Sequence, residues 1–168
     1  MSPTLYYTFH TVFNRLYTIA STEKGLAYVS PDDGNLEPLE THFKNFKLQE
    51  DASMNAGSIK QIEEYIAGTR KEFDLDLDIQ IGTPFQQSVW QTLLTIPFGQ
   101  TQHYGAIADG INNPKAVRAV GGAIGRNPIS IVIPCHRIIG KNGSLTGYSG
   151  GIDVKIKLLA IEGVQYSV

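Results

Sequence analysis

Asn113-Pro-Lys-Ala-Val-Arg-Ala-Val-Gly-Gly-Ala-Ile124 is the stretch on which the reading of this chain turns. Asn113 suits a helix cap and Pro114 the first helical position. Helical spacing from Pro114 to Ile124 then places Val117, Val120 and Ile124 inward, with Lys115, Arg118 and Gly122 facing out. Just upstream, Tyr104, Ile107, Ala108 and Ile111 share one face of a shorter helix, and Asn112-Asn113-Pro114 is a turn. Short helix, tight turn and second helix with a basic face make a helix-turn-helix. The outward face is oddly small: Ala119, Gly121, Gly122 and Ala123 surround Arg118. Two adjacent glycines cost a helix roughly 1 kcal/mol each against alanine. Close approach of a foreign backbone explains them, and so does tight packing on a neighbouring helix.

Working outward, Phe85, Val89 and Leu93 recur every four residues beside Trp90 and Leu94, a helix capped by Thr83 with Pro84 in its first turn. Ile81-Gly-Thr-Pro84 is a natural boundary, which divides the chain into an α/β domain over 1–81 and a mainly helical domain over 82–168. In the first, Leu5–Phe13, Arg15–Ser21 and Leu26–Ser30 read as strands, Glu40–Phe46 and Ser58–Ala67 as helices. Phe73, Leu75 and Leu77 alternate with Asp74, Asp76 and Asp78, a half-buried strand with a solvated acidic face. Residues 1–81 carry seven Lys and Arg against thirteen Asp and Glu, whereas 82–168 carry seven against three. Such a split suggests that the second half meets a polyanion.

Chemistry concentrates downstream. Ile129, Ile131 and Ile133 alternate as a strand that ends at Pro134-Cys135-His136-Arg137. Cys135 is the single cysteine of the 168 residues, which excludes an internal disulfide and a multi-cysteine metal site. Cationic neighbours lower a thiol pKa, and an adjacent His is a common activator of sulfur. Neighbouring strand residues point to opposite faces, so Cys135 and His136 meet only if Pro134 ends the strand or a water joins them. Asp153–Ile161 reads as a helix with Ile156 and Leu159 inward. Glu162 at its carboxyl end opposes the helix dipole. It is either a harmless exposed acid or the partner of an imidazole, as the third member of a triad would be.

Ile133-Pro-Cys-His-Arg-Ile-Ile139 resembles the signature of the O6-alkylguanine-DNA alkyltransferases. The likeness covers most of 82–168 and includes Gly82–Gln86, Tyr104, Asn113–Ala123, Asn127-Pro128, Gly147–Gly151 and Glu162-Gly163. The first half is loosely similar to the family's ribonuclease-H-like domain, and the second to its winged-helix-like alkyltransferase domain. The resemblance implies direct-reversal DNA repair: irreversible, single-turnover transfer of the alkyl group of O6-alkylguanine, and of O4-alkylthymine, to Cys135. It implies His136 as a water-linked base, Glu162 as the acid that holds it, Asn127 as hinge and Tyr104 beside the flipped nucleotide. Arg118 would fill the place of that nucleotide, with Lys115, Ala119, Gly122 and Ala123 on the DNA face. Tyr148, Ser149 and Gly150 would cover the base pocket. Some relatives hold zinc through N-terminal cysteines, which this chain lacks, so no metal or cofactor is expected. His103, where relatives carry Ser or Thr, caps poorly and leaves the start of the first recognition-motif helix open. The expected partner is double-stranded DNA bearing the lesion, and the expected state a monomer in the cytoplasm. No membrane span or secretory signal is visible. A non-catalytic DNA lesion binder is the nearest alternative, but Cys135 argues against it. A transcription regulator would not need Pro134-Cys135-His136, and a cysteine hydrolase would leave the basic helix unexplained.

Overall fold

The computed structural model describes residues 2–167. The chain divides into two compact units, residues 1–81 and 82–168.

The first unit runs β1 (Thr4–Val12), β2 (Arg15–Ser21), β3 (Leu26–Ser30), α1 (Glu37–His42), β4 (Lys47–Glu50) and α2 (Ala56–Ile66). Its sheet has the order β3-β2-β1-β4, antiparallel except for β4, which lies parallel to β1. The β1–β2 hairpin turns at Phe13 and Asn14, whose φ values of 50° and 63° match the twist that a two-residue hairpin requires. Leu5, Ala20, Ala27 and Tyr28 of the sheet bury themselves against Leu39 and Phe43 at α1. Buried Asn55 accepts from Ser21 Oγ (2.7 Å) and donates to the Tyr6 carbonyl (3.0 Å), which ties the start of α2 to the sheet.

Two expectations for this unit change. The short helix lies at Glu37–His42, with Pro38 in its first turn, rather than at 40–46. The segment 73–78 keeps the expected alternation, with Asp74 and Asp76 exposed, but it is no strand. It meets the sheet at one point, where Leu26 N donates to Asp76 O (2.9 Å) and Asp78 N to Leu26 O (2.7 Å). Gly25 permits that approach, because a Cβ there would lie 2.4 Å from the Asp76 oxygen.

The second unit holds α3 (Pro84–Leu93), α4 (Tyr104–Gly110), α5 (Val117–Gly125) and α6 (Ile152–Ile161). Thr83 Oγ1 accepts from Gln86 N (3.1 Å) while Gln86 Oε1 accepts from Thr83 N (3.0 Å), a reciprocal cap on α3. Trp90 Nε1 donates to Ala123 O (2.8 Å) and so fastens α3 to α5. The poor cap expected at His103 is corrected: its Nδ1 accepts from Ala106 N (3.2 Å), and α4 begins at Tyr104.

α5 begins at Val117, three residues later than expected, because Ala116 N bonds to Asn113 O (3.0 Å) and 113–116 forms a turn. Lys115 therefore precedes the helix instead of lying on it. Val117 is 41% exposed rather than inward, and Ala123 is 2% exposed rather than outward. Ala123 stands three residues after Val120 and one before Ile124, so helical geometry sets it on the inward face. In α6, Val154, Lys155, Leu158 and Leu159 face inward, and Ile156 is exposed. Among the described residues, no helix is long and apolar enough to cross a membrane.

Candidate active site

The strand expected over Ile129–Ile133 is absent. All five residues are buried, Ser130 and Val132 included, so the alternating isoleucines reflect complete burial rather than two faces. Val132 N donates to Ser130 O (2.8 Å) around Ile131, whose φ is 74°. This is a γ-turn of the rare, left-handed kind, and a β-branched residue in such a backbone costs of order 1–3 kcal/mol. A second γ-turn, of the ordinary inverse kind, follows around Pro134 (φ −82°, ψ 61°), with Cys135 N bonded to Ile133 O (2.8 Å). Cys135–Arg137 then form one 3₁₀ turn. The nucleophile candidate thus sits on a tightly folded corner.

Asn127, just past α5, holds that corner from three sides. Its Nδ2 donates to Ile133 O (2.9 Å) and to Cys135 Sγ (3.1 Å), and its Oδ1 accepts from Ile129 N (2.9 Å). Cys135 lines a pocket of about 380 Å³. Tyr104 of α4 and Tyr148 form its aromatic walls, Ser149 its rim, and Gly121, Gly125 and Gly147 leave it open. Gly121 lies against the Tyr104 ring, which a Cβ there would meet at an ordinary contact distance of 3.8 Å, so that ring does not by itself require glycine. Gly150 lies beneath Tyr148 instead of lining the pocket: a Cβ would come within 2.7 Å of that ring.

Behind the thiol lies a buried ionic cluster. His136 Nε2 and Glu162 Oε2 are 2.8 Å apart, and both side chains are fully buried. Arg137 clasps the same carboxylate through Nε (2.9 Å to Oε1) and Nη2 (2.9 Å to Oε2), and its Nη1 donates to Ile96 O (2.6 Å). Gly99 N adds a bond to Glu162 Oε1 (2.9 Å). Glu162 is therefore an acid held by an imidazole, a guanidinium and a backbone amide. Arg137, expected to act on the thiol, is spent on Glu162. The cation that acts on the sulfur is Lys155, which is 1% exposed and donates from Nζ to Ile138 O (2.5 Å), Thr146 Oγ1 (3.1 Å) and Thr146 O (3.3 Å).

Burial raises the Cys135 pKa, against the lowering effects of the Asn127 bond, the Tyr148 hydroxyl and the Lys155 charge. Burial also lowers the His136 pKa, with Glu162 opposing. Lys155 falls from 10.5 to about 8, again through burial, while its attraction to Cys135 acts the other way. At neutral pH the site holds a thiol, a neutral imidazole and an ammonium. Such a set offers an imidazole able to accept a proton and a charge that stabilises a thiolate as it forms.

Of the expected residues, the structure gathers Cys135, Asn127, Tyr104, Tyr148 and Ser149 around one pocket, with His136 and Glu162 behind it. Arg118, Lys115 and Ala119 are exposed, Gly122 is partly exposed, and Ala123 is in the core. Sequence reasoning missed Lys155, Thr146 and the role of Arg137. Lys155 left a signal: it falls on the apolar frame of α6 together with Leu158, Leu159 and Glu162. Among the described residues, no three His, Cys, Asp or Glu side chains are grouped to hold a metal ion.

Residues 84–164 match the DNA binding domain of 6-O-methylguanine DNA methyltransferase, and residues 5–79 its ribonuclease-like domain. The chain is 45% identical over 164 residues to the inducible methylated-DNA–protein-cysteine methyltransferase of Bacillus subtilis, covering 95% of this chain and 91% of that one. It is 52% identical over 126 residues to the methylated-DNA–protein-cysteine methyltransferase of Mycobacterium bovis, covering 75% and 73%. The crystal structure of Mycobacterium tuberculosis OGT in complex with DNA superposes with a TM-score of 0.83 at 44% identity, covering 94% of this chain and 93% of that one.

Proposed function

The chain belongs to the 6-O-methylguanine DNA methyltransferase family, and from that premise we propose that it repairs double-stranded DNA by moving the alkyl group of O6-alkylguanine onto Cys135. The observation that carries this reading is the Cys135 sulfur on the wall of an open pocket, hydrogen-bonded to Asn127 and backed by the His136–Glu162 pair. O4-alkylthymine presents the same alkyl–oxygen bond and is the second substrate.

A base inside a duplex is out of reach, so the nucleotide is turned out at a cost of a few kcal/mol. Exposed Arg118 on α5 takes its place in the stack. Lys115, Ala119 and Gly122 form the surrounding DNA face, whereas buried Ala123 supports it from within. Tyr104 and Tyr148 flank the extruded base in the pocket, Ser149 meets its edge, and Gly150 lets the Tyr148 ring lie flat. Cys135 gives its proton through a water to His136, whose ring is held by Glu162, itself clasped by Arg137. The sulfur attacks the saturated alkyl carbon, the carbon–O6 bond breaks, and the electron pair stays on the guanine oxygen. A hydrogen-bond donor in the pocket stabilises that oxygen; the Tyr104 hydroxyl does so only on turning from Thr146, to which it donates. The proton released by the thiol ends on the base, so S–H plus O–alkyl becomes S–alkyl plus unmodified guanine. A thioether has no carbonyl for water to attack, and the protein turns over once. A monomer suffices, and the cytoplasm is the proposed compartment.

Incubation with an oligonucleotide bearing O6-methylguanine, followed by intact mass, tests this. One methyl per protein on Cys135, and none on Cys135→Ser, is the expected result. Multiple turnover, or activity in the serine variant, would overturn it. A non-catalytic lesion binder would retain affinity and gain no mass.

A further inference from the structure

The Thr146 side chain lies at a junction that neither the fold nor the relay behind Cys135 explains. Its Oγ1 accepts from the Tyr104 hydroxyl (2.8 Å) and from Lys155 Nζ (3.1 Å). Tyr104 is a wall of the pocket that Cys135 lines. Lys155 is the buried cation whose charge favours the thiolate. One hydroxyl oxygen thus holds both an aromatic wall of the base pocket and the cation whose charge acts on the nucleophile. A hydroxyl oxygen has two lone pairs, and both are taken.

We infer that Thr146 is a positioning residue for alkyl transfer, which binds Tyr104 and Lys155 into one unit so that the pocket wall and the thiol's counter-charge are set together. This rests on alkyl transfer to Cys135 as the activity. Two consequences follow from the geometry. An acceptor on an ammonium favours its charged form, so Lys155 keeps its proton to higher pH with the Thr146 hydroxyl than without it. The second concerns Tyr104, which without that acceptor is no longer held at one orientation, so the wall of the base pocket is less firmly set against the substrate.

Among the described residues, Cys135 and His136 interact with Lys155 from the 3₁₀ turn, with Arg137 beyond them on Glu162; Tyr104 shares its acceptor Thr146, and Tyr148 bonds Cys135. The reaction needs His136 neutral, as the base, and Lys155 charged. Its rate therefore rises as His136 loses its proton, below the ordinary 6.5, and falls as Lys155, at about 8, loses its charge.

The experiment measures the rate of benzyl transfer from free O6-benzylguanine against pH in native, Thr146→Val and Thr146→Ser protein. Valine keeps the shape and deletes the acceptor. The expected result is about a tenfold loss at neutral pH in the valine variant, the size of one hydrogen bond to a charged group. The alkaline limb should also move to lower pH, and serine should restore both. Thr146→Ala makes the same comparison if valine does not fold. In a Tyr104→Phe background the valine substitution should cost clearly less, because one of its two partners has gone. Valine and alanine variants with native rates and native pH limbs would overturn the inference while leaving the activity intact. So would a loss that serine fails to restore. If native protein takes up no benzyl group, the proposed activity itself is what fails.

Discussion

Glu162 carries more than the orientation of an imidazole. Its carboxylate meets His136, Arg137 and the Gly99 amide at once. Glu162→Gln should slow alkyl transfer, because His136 loses the partner that supports its basicity. It should also lower the melting temperature, because Arg137 is left buried without a counter-charge, at a cost of about 3–5 kcal/mol. Non-specific DNA affinity should hardly change. Transfer rate, thermal melt and duplex binding on the same variant separate these effects; loss of binding alone would contradict them. His136 supplies a pH dependence of definite sign. Its folded pKa lies below the ordinary 6.5, so the unfolded chain binds that proton first. The stability it contributes is present above about pH 6.5 and is lost as pH falls through the folded value. Melting temperature should decline on acidification in that range, and less so in His136→Gln. Cys135 and the pairing of His136 with Glu162 were legible from a short motif and a misplaced helix-terminal acid. Lys155 and Arg137 were not, because a charge is buried only where tertiary partners receive it, and those partners come from distant segments.

At the scale of elements, helix spacing was the dependable signal. The cap and frame of α3 and the pairing of α4 with α5 follow from residues within each segment. The alternating run Ile129–Ile133 misled, because period two marks a strand only when alternate residues reach solvent, and here Ser130 and Val132 are buried too. Strand β4 escaped notice for the opposite reason: Leu48 is its one half-buried residue, too little to make a pattern. The exposed side of α5 invites a direct test. Within α5, Arg118 is the long side chain beside exposed Val117, Ala119 and partly exposed Gly122, while Arg126 beyond the helix turns its Nη1 onto the Gly122 carbonyl (3.2 Å). Arg118 is therefore the α5 side chain long enough to fill the space of an extruded base. Arg118→Ala should slow repair of alkylated duplex by an amount that reflects unstacking, a few kcal/mol. Free O6-benzylguanine, which needs no extrusion, should react at nearly the native rate. Equal losses on both substrates would point to damage of the fold or pocket and remove Arg118 from the extrusion step.

Across the whole molecule, charge is distributed unevenly, and the structure keeps that unevenness on the surface. Of the seven cations in 82–168, Arg137 and Lys155 are buried, as is Glu162. Lys115, Arg118, Arg126, Lys141 and Lys157 are exposed, against Asp109 and Asp153. Duplex affinity should therefore fall steeply with salt, each phosphate contact adding about −0.9 to the slope of log affinity against log salt. Arg126→Ala should make that slope shallower by about one if it meets a phosphate. Neutralising Asp74 and Asp76 should leave affinity unchanged; Asp78 is a poor choice for that control, since it accepts from Thr22 Oγ1. A salt-insensitive affinity would mean that the basic surface is not the DNA surface. The depth at which Cys135 sits has one more consequence. Peroxides, disulfides and metabolic electrophiles consume thiolates, and a sulfur kept protonated and 2% exposed is a slow target for them. A protein that acts once loses its whole working life to one stray oxidation, so the burial that makes Cys135 sluggish in isolation also gives the molecule its shelf life, keeping it intact until a lesion arrives.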